Sequence, residues 1–206
     1  MHTLELLVTR KFELKTLSPE NFADFEKLTV GGKHGGCYCA FWHQKFNSIE
    51  EWHQREREAP EKNRDCMRQR VDSGFHVGVL AYESGKLVGW VSVSPVAEVY
   101  WAWRRMAVLA EKARTTACIT CIALAPEFRG KGYQKTILKN LCEYGRRLAW
   151  EAIEGYPFDC EAVEKLGADV HWPGLIKGFS EAGFVRVGPH WLSNDQAPRS
   201  IFSVGL

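Results

Sequence analysis

The spacing of apolar residues predicts a chain in which strands and helices alternate. Runs with every second residue apolar, or rich in Val, Ile, Tyr and Trp, indicate strands, because strand side chains point alternately to two faces. Segments with apolar residues three or four positions apart indicate helices. Strands are predicted at 12–17, 75–82, 86–94, a run ending before Pro126, 151–156, 184–188 and 200–204. Helices are predicted at about 18–30, 49–58, 60–73 and 173–182, and one follows the glycine-rich turn with its apolar positions at 137–149.

Residues 31–73 predict a helical region that is rich in aromatic side chains. Glycines within 31–36 end the first helix, and the segment CYCAFWHQKF after them predicts a loop or a short irregular helix. Ser48 is placed to cap the following helix. The turn Glu83-Ser84-Gly85-Lys86 then joins two strands as an antiparallel hairpin.

Residues 119–138, ITCIALAPEFRGKGYQKTIL, carry the strongest functional signal in the chain. An apolar run ends at Pro126, and a basic, glycine-rich turn then leads into an amphipathic helix. The first N–H groups of a helix have no acceptor within it, and glycines permit close approach, so this turn predicts an anion site. The amides that would bind a phosphate are those of Arg129, Gly130, Lys131, Gly132, Tyr133 and Gln134.

Other phosphate loops fit this turn less well. A Walker-type loop needs Ser or Thr after Gly-Lys, whereas Gly132 follows Lys131. A dinucleotide fingerprint would need glycine in place of Lys135 and an acidic residue on a second strand. A glycine-rich connection between a strand and a helix, with no ligand at all, is the structural alternative.

The chain resembles the GCN5-related N-acetyltransferase (GNAT) superfamily at Arg129, Gly132 and Gln134, which follow a central strand with the spacing of that family's signature. The segment GFSEAGFVRVG at 178–188 is similar to its closing motif. The resemblance implies an α/β fold of the α+β type, with a mixed, mainly antiparallel central sheet that is splayed at the cofactor strand and flanked by helices. We therefore expect a single GNAT domain over 1–206, with the helical, aromatic-rich region at about 31–73 as an insertion.

The resemblance also implies an activity, the transfer of an acetyl group from acetyl-CoA to a primary amine of a small molecule or peptide. The amine would attack the thioester directly, with no covalent enzyme intermediate. The amides of 129–134 would hold the pyrophosphate, and Lys131 and Lys135 would add positive charge, although either lysine also fits a solvated surface position. The strand residues whose backbone would pair with pantetheine are Ile122, Ala123 and Leu124.

Glu154 is the candidate general base, because it lies where many GNAT enzymes carry a Glu on the fifth strand. The attacking amine is mostly protonated at neutral pH, and burial would raise the pKa of this carboxyl toward a useful range. A surface position on the strand is the alternative. Asp159 stands where the family often has an Asn that contacts cofactor or substrate, and it also fits a turn residue whose carboxylate bonds its own backbone.

Two positions depart from the family pattern. Gln134 stands where a small residue normally lets the helix approach the phosphates, so either a small rotation accommodates it or its amide donates a hydrogen bond. Phe179 stands where a Tyr often protonates the leaving thiolate. Because Phe cannot donate a proton, solvent or another group such as Tyr133, Tyr156 or Cys160 would take that role.

A metal site is not expected, although four possible zinc ligands lie close together in sequence. Structural zinc sites favour paired ligands two to four residues apart, and a Cys-x-Cys among aromatics also fits a loop packed under a sheet. Cys118 and Cys121 are an odd number of positions apart on a strand and would face opposite sides. The four possible ligands are His34, Cys37, Cys39 and His43.

Composition narrows the partners and the compartment. The 27 basic and 25 acidic residues give a formal net charge of +2, which provides no strong field for nucleic acid, so we expect no nucleic-acid partner. No apolar run approaches the roughly 18 residues that a membrane span needs, and the amino terminus lacks an export signal, so we expect no membrane partner. The 7 irregularly spaced cysteines fit reduced thiols in the cytoplasm.

Three functions are consistent with these residues. An acetyl-CoA-dependent N-acetyltransferase is the main hypothesis, and a homodimer is possible. A non-catalytic acyl-CoA binding or sensing module is the alternative, and a general phosphate or nucleotide binder is a second one. Aromatic residues would line an apolar or cationic acceptor, namely Tyr38, Phe41, Trp42, Tyr100, Trp101 and Trp103.

Overall fold

A computed structural model describes residues 12–29, 35–100, 112–159, 172–191, 193–195 and 198–206. Short 3-10 turns lie at Ala40–His43, Val96–Glu98 and Pro126–Phe128. The strands are β1 (Glu13–Thr16), β2 (Val79–Glu83), β3 (Lys86–Pro95), β4 (Thr116–Leu124), β5 (Ala152–Gly155), β6 (Val185–Pro189) and β7 (Ser200–Gly205). The helices are α1 (Phe22–Thr29), α2 (Ile49–Glu58), α3 (Pro60–Asp72), α4 (Tyr133–Arg147) and α5 (Ile176–Glu181).

Within these described residues, seven strands form one sheet in the order β1-β2-β3-β4-β5-β7-β6. Neighbouring strands are antiparallel except β4 and β5, which run parallel. A parallel pair needs a long crossover, and α4 provides it. The predicted mixed and mainly antiparallel sheet is confirmed.

Helices cover both faces of this sheet, because alternate strand residues point to opposite sides. On one face, Ile137, Leu138 and Leu141 of α4 pack in a buried cluster with strand residues such as Val91 and Ile153. On the other face, α1, α2 and α3 bury an aromatic cluster that includes Phe22, Phe25, Trp52 and Trp90.

Among the described residues, the helices are all too short or too polar to cross a membrane.

Local signals in the sequence explain several element boundaries. The Ser48 hydroxyl accepts a hydrogen bond from the Glu51 N–H at 3.2 Å, as predicted for a helix cap. Ser84 and Gly85 both have positive φ, 50° and 79°, which matches the two-residue hairpin turn predicted between β2 and β3.

A β-bulge interrupts the pairing of β3 with β4. Ser92 lies opposite Cys121 while Val93 lies opposite Ile119, so Thr120 is an extra residue on β4. The Thr120 hydroxyl donates to the Ser92 hydroxyl at 2.8 Å in a buried position. Bulges bend the strand that carries them, and β4 pairs with β5 only as far as Ile119.

The bulge also corrects one sequence-based expectation. Cys118 lies opposite Ser94, and Cys121 lies opposite Ser92. Ser92 and Ser94 are two residues apart on β3 and share a face, so both cysteines point to that face as well. The prediction that they face opposite sides was wrong, because the extra residue Thr120 shifts the alternation by one.

Phe179 of α5 is fully buried, and its ring lies on Gly155 at the end of β5. A Cβ atom at Gly155 would overlap the ring carbon Cε1 of Phe179. The ring also contacts Phe184, with centroids 5.2 Å apart. Phe179 is therefore a core residue that holds α5 against the carboxyl end of β5.

Replacing Gly155 with Ala should destabilise the fold by about 1 to 3 kcal/mol, because the new methyl group overpacks the Phe179 ring. Gly205→Ala on β7 is the matched control, since its new methyl group would have no atom within 4 Å and it shares the entropic effect of adding a Cβ. Urea unfolding measures both variants. Equal free energies of unfolding for the two variants would contradict the packing.

Candidate functional site

The start of α4 has the geometry of an anion site. Gly130 and Gly132 have φ of 70° and 75°, a left-handed conformation that favours glycine, and no atom lies within 4 Å of the position that a Cβ would take at either residue. Gly132 is the N-cap residue, no side chain caps the helix, and the first turn contains no acidic residue. Of the predicted phosphate-binding amides, those of 130–134 lie at this open, positively polarised helix start, whereas the Arg129 N–H already donates to the Pro126 carbonyl at 3.3 Å.

The basic side chains near this helix start have different surroundings. Lys135 pairs with Glu181 of α5 at 3.3 Å. Arg129 folds back, and its Nε donates to the Leu124 carbonyl at 2.9 Å. Lys131 is exposed at the tip of the loop. Of these three side chains, Lys131 is therefore the one best placed to meet an incoming anion.

Tyr133 contributes to this site through its backbone. Its ring is buried between Phe12 and Phe128, with centroids 5.5 and 5.2 Å away. Its hydroxyl donates to Glu83 at 3.2 Å. The side chain therefore belongs to the core, and only the N–H group lies at the helix start.

Gln134 forms two hydrogen bonds with the backbone of Leu175. Its Nε2 donates to the Leu175 carbonyl at 3.0 Å, and its Oε1 accepts from the Leu175 N–H at 3.0 Å. A Cβ at Gly174 would lie 2.9 Å from this amide, and one at Gly178 would lie 2.5 Å from it. Of the two possibilities for Gln134, hydrogen bonding is the one observed, and two glycines make room for it.

The backbone of β4 beyond the bulge is paired with the chain itself. After Ile119 the strand leaves β5, and the Ile122 N–H donates to the Trp172 carbonyl at 2.6 Å. Ala123 and Leu124 are half-buried and pair on their other side with β3. The gap between the splayed strands, where a ligand would pair as an added strand, is thus occupied at Ile122 by Trp172.

Glu154 lies on β5, level with Cys118 of β4, and its side chain is half-buried rather than exposed. Burial raises the pKa of its carboxyl above 4.5, the ordinary value. The Tyr156 hydroxyl donates to its Oε2 at 3.2 Å and opposes that rise by stabilising the carboxylate. A carboxylate whose pKa is raised in this way is a stronger base than an ordinary one.

Tyr156 and His190 form a buried pair beside Glu154. Their rings lie 4.6 Å apart, and both residues are about 2% exposed. Burial raises the pKa of Tyr156, so its hydroxyl keeps its proton. Burial, followed by the charge of Arg199, lowers the pKa of His190 to about 3, so the imidazole is neutral.

Asp159 uses its carboxylate to hold the start of β7. Its Oδ1 accepts from the Ser200 hydroxyl at 3.0 Å, and its N–H donates to the Pro198 carbonyl at 2.9 Å. The carboxylate therefore bonds a residue of β7 and not its own backbone. This bond does not bring it to the start of α4.

Of the six aromatic residues predicted to line the acceptor side, four lie within the described residues and all four are buried or half-buried. Tyr38 and Trp42 are buried, and the Trp42 ring lies 6.1 Å from the Trp172 ring. Phe41 is half-buried and packs on Trp42 and Trp52. Tyr100 is half-buried. Trp101 and Trp103 lie outside the described residues, as do His34 and Cys160.

The cysteine pair in the aromatic loop forms hydrogen bonds within the loop and with Trp90. The Cys39 N–H donates to the Cys37 sulfur at 3.1 Å, and the Trp90 Nε1 donates to the Cys39 sulfur at 3.4 Å. The ring nitrogens of His43 are buried, and their desolvation lowers the pKa of the imidazole to about 3. In the part of the chain that the structure describes, no group of three or more His, Cys, Asp or Glu side chains could hold a metal ion.

Sequence reasoning missed Trp172. A Trp-Pro-Gly sequence is an ordinary turn signal, and nothing in it indicates contact with a strand about fifty residues earlier. Its contact with Ile122 is visible only in the three-dimensional arrangement of the chain. An open groove of about 410 Å³ elsewhere, lined by Phe75, Pro95, Ala97, Glu98 and Arg114, contains none of the predicted site residues.

The sequence matches the model of one protein family, described as acetyltransferase (GNAT) family, over residues 32–157. That range includes β4, the start of α4 and Glu154, and it covers more than half of the 206 residues. No curated protein matches the sequence.

Solved structures share the fold at low sequence identity. A structure of AAC(6')-Ib in complex with ribostamycin and coenzyme A is 14% identical with a TM-score of 0.59, covering 95% of this chain and 93% of the other. A ribosomal-protein-alanine N-acetyltransferase from Brucella melitensis is 15% identical, with a TM-score of 0.53 and coverage of 94% and 99%. A spermidine N-acetyltransferase SpeG chimera from Vibrio cholerae and hSSAT is 15% identical, with a TM-score of 0.54 and coverage of 94% and 95%.

Replacing Gln134 with Ala should lower the free energy of unfolding by about 1 to 2 kcal/mol, because two hydrogen bonds to Leu175 are lost. Gln54→Ala is the matched control, since the Gln54 amide donates to Glu58 on the exposed face of α2. We expect less than about 0.5 kcal/mol for that surface change. Urea unfolding measures both, and no difference between the variants would show that Gln134 does not hold Leu175.

Proposed function

Because the chain belongs to the acetyltransferase (GNAT) family, we propose that it transfers an acetyl group from acetyl-CoA to a primary amine of a small molecule or peptide. The observation that carries the proposal is the uncapped start of α4 directly after β4, with Gly130 and Gly132 in left-handed conformations. Neighbours of the same fold that were crystallised with coenzyme A support it.

In this proposal the amides of 130–134 hold the pyrophosphate of the coenzyme, and Lys131 adds charge. The Arg129 amide would join them only by giving up its bond to the Pro126 carbonyl. Lys135 already pairs with Glu181, so it would add charge only if it bound the pyrophosphate as well as this carboxylate. Asp159 would act through the segment it anchors at Ser200 rather than by direct contact.

Pantetheine would pair with the backbone of Ile122, Ala123 and Leu124 as an added strand. The Trp172 carbonyl occupies the Ile122 N–H, so the coenzyme must displace this contact before the thioester reaches β4. The free energy needed for that displacement is subtracted from the affinity for the coenzyme. Binding is therefore expected to be coupled to movement of 172–175 away from β4.

Glu154 acts as the general base. It takes a proton from the ammonium form of the acceptor, directly or through water, and the neutral amine attacks the carbonyl carbon of the thioester. The C–N bond forms and the C–S bond breaks, and the sulfur leaves with the bonding electron pair. A second proton from the amine nitrogen passes through solvent to the thiolate, so the products are an amide and the free thiol, with one proton released.

The thiolate takes its proton from solvent in this scheme because, within the described residues, the side chains considered for the task are unsuited to it. Tyr133 donates to Glu83, and Phe179 has no proton to give. Tyr156 instead donates to Glu154 and adjusts the affinity of that carboxyl for protons. A coenzyme thiol titrates close enough to neutral pH to leave without a dedicated acid.

An acyl-CoA binding or sensing module is the second candidate. The bond between Ile122 and Trp172 favours it, because a site closed by the chain itself suits a switch as well as an enzyme. Phe179 favours it too, since a phenyl ring at that position cannot donate a proton. A general nucleotide binder differs from both in that it would bind ATP and coenzyme A with comparable affinity in calorimetric titrations.

Glu154→Gln should reduce acetyl transfer by about 10²- to 10⁴-fold, because the amide cannot take the proton of the amine. Thiol release from acetyl-CoA across a panel of amines measures it, and the Kd for coenzyme A should change little. Glu151→Gln is the matched control, since Glu151 is an exposed neighbour on the same segment.

Unchanged thiol release in Glu154→Gln would remove Glu154 from the reaction. Tight coenzyme binding with no release on any amine would instead establish the binding module. Equal losses in both Gln variants would indicate a general effect on the fold rather than a lost base.

Tyr156→Phe should raise the pKa of Glu154 further, because the hydrogen bond that stabilises its carboxylate is removed while burial stays. A raised pKa leaves less carboxylate at a given pH, so the acid limb of activity moves to higher pH. The ¹³C shift of the Glu154 carboxyl, assigned with Glu154→Gln, measures the titration directly. Tyr144→Phe, whose hydroxyl bonds Thr16 and His76, should leave it unchanged, and a fall in the Glu154 pKa in Tyr156→Phe would contradict the assignment.

A further inference from the structure

Arg199 is a half-buried cation stacked on aromatic rings. Its guanidinium carbon lies 3.8 Å from the centroid of the Phe158 ring and 4.9 Å from that of Trp172. Planar guanidinium groups stack favourably on such faces. Burial lowers the pKa of Arg199 to about 10, which still leaves it charged at neutral pH.

Among the described residues, no carboxylate compensates this charge. The Nη1 atom of Arg199 is buried and makes no hydrogen bond. Asp159 is near in the fold, since its N–H bonds the Pro198 carbonyl, but its carboxylate accepts from Ser200. The backbone N–H of His190 donates to the Arg199 carbonyl, and the His190 imidazole is neutral.

Taking a charged group partly out of water without an ionic partner is costly, and stacking on rings recovers only part of that cost. Arg is favoured where a carboxylate must be held by two parallel hydrogen bonds, because its planar fork is already arranged for them. The unused Nη1 therefore indicates a missing anion rather than a finished core contact.

Trp172 links Arg199 to the candidate reaction centre. Its carbonyl accepts from the Ile122 N–H at 2.6 Å, while its ring lies against the Arg199 guanidinium. Phe158 forms β-bridges with both Leu175 and Arg199. One displacement of Trp172 would therefore uncover the backbone of β4 and the guanidinium together.

We propose that Arg199 binds a carboxylate of the acceptor, so that the substrates are amines that carry a carboxylate, as amino acids do. The proposal rests on the function proposed above. The phosphates of the coenzyme have their own site at the start of α4, so the anion at Arg199 comes from the acceptor. A carboxylate matches one guanidinium in charge, and polyamines would be repelled.

The test compares amino acids with their primary amides as acceptors, in the wild type and in Arg199→Gln. The wild type should favour the carboxylate member by roughly tenfold or more in kcat/KM, mainly through KM, as expected for a lost charge-assisted hydrogen bond. Arg199→Gln should lose that preference by slowing only the carboxylate member, and Arg199→Lys should restore part of it. Arg186→Gln is the matched control, because Arg186 bonds Ser200 from an exposed position.

A second measurement needs no turnover. Calorimetric binding of N-acetyl amino acids, compared with their amides in the presence of coenzyme A, should show the same preference in the wild type and none in Arg199→Gln. Binding without turnover would support the carboxylate site while the proposed transferase activity fails. Equal treatment of acids and amides by the wild type, or equal losses for both in Arg199→Gln, would overturn the proposal and leave Arg199 a packing residue.

Discussion

A single extra residue on the central strand determines how this site is built. Thr120 breaks the register between β3 and β4, and β4 then diverges from β5 after Ile119. Divergence leaves the N–H of Ile122 without a neighbouring strand, and a backbone donor inside a protein must find an acceptor. In this chain the acceptor is the Trp172 carbonyl. The bulge therefore accounts both for the gap that could accept a ligand and for the contact by which Trp172 fills it.

Burial, more than pairing of charges, sets the protonation of the groups around the gap. Desolvation is the largest influence on the pKa values of Glu154, Tyr156, His190 and Arg199, and it favours the neutral form of each. The raised pKa makes the Glu154 carboxylate a stronger base, and the raised pKa of Tyr156 keeps the proton on its hydroxyl. Arg199 remains charged at neutral pH, because the pKa of a guanidinium starts so high that burial lowers it only to about 10. The pKa shifts of these four groups thus follow mainly from their removal from water.

Much of the fold was predictable because its signals are local. The Ser48 cap, the Ser84-Gly85 turn and the amphipathic α4 are each encoded within a few residues, and the structure confirms them. The bulge was not predictable, because what makes Thr120 the extra residue is the pairing of β4 with β3, and the sequence around Thr120 does not show that pairing. The partner of Ile122 was equally hidden, because a contact between distant segments leaves no periodicity in either one. The roles of the predicted site residues stay predictions.

The contact of Gln134 with the segment after Trp172 has a consequence for the way such sequences can change. Its amide occupies space that Gly174 and Gly178 leave open. A small residue at position 134 would leave that space vacant, while any larger side chain at either glycine would collide with the amide. Gly174 and Gly178 are therefore constrained as long as Gln134 is kept, and the combination Gln, Gly, Gly at this spacing should identify other chains in which the strand gap is closed from within.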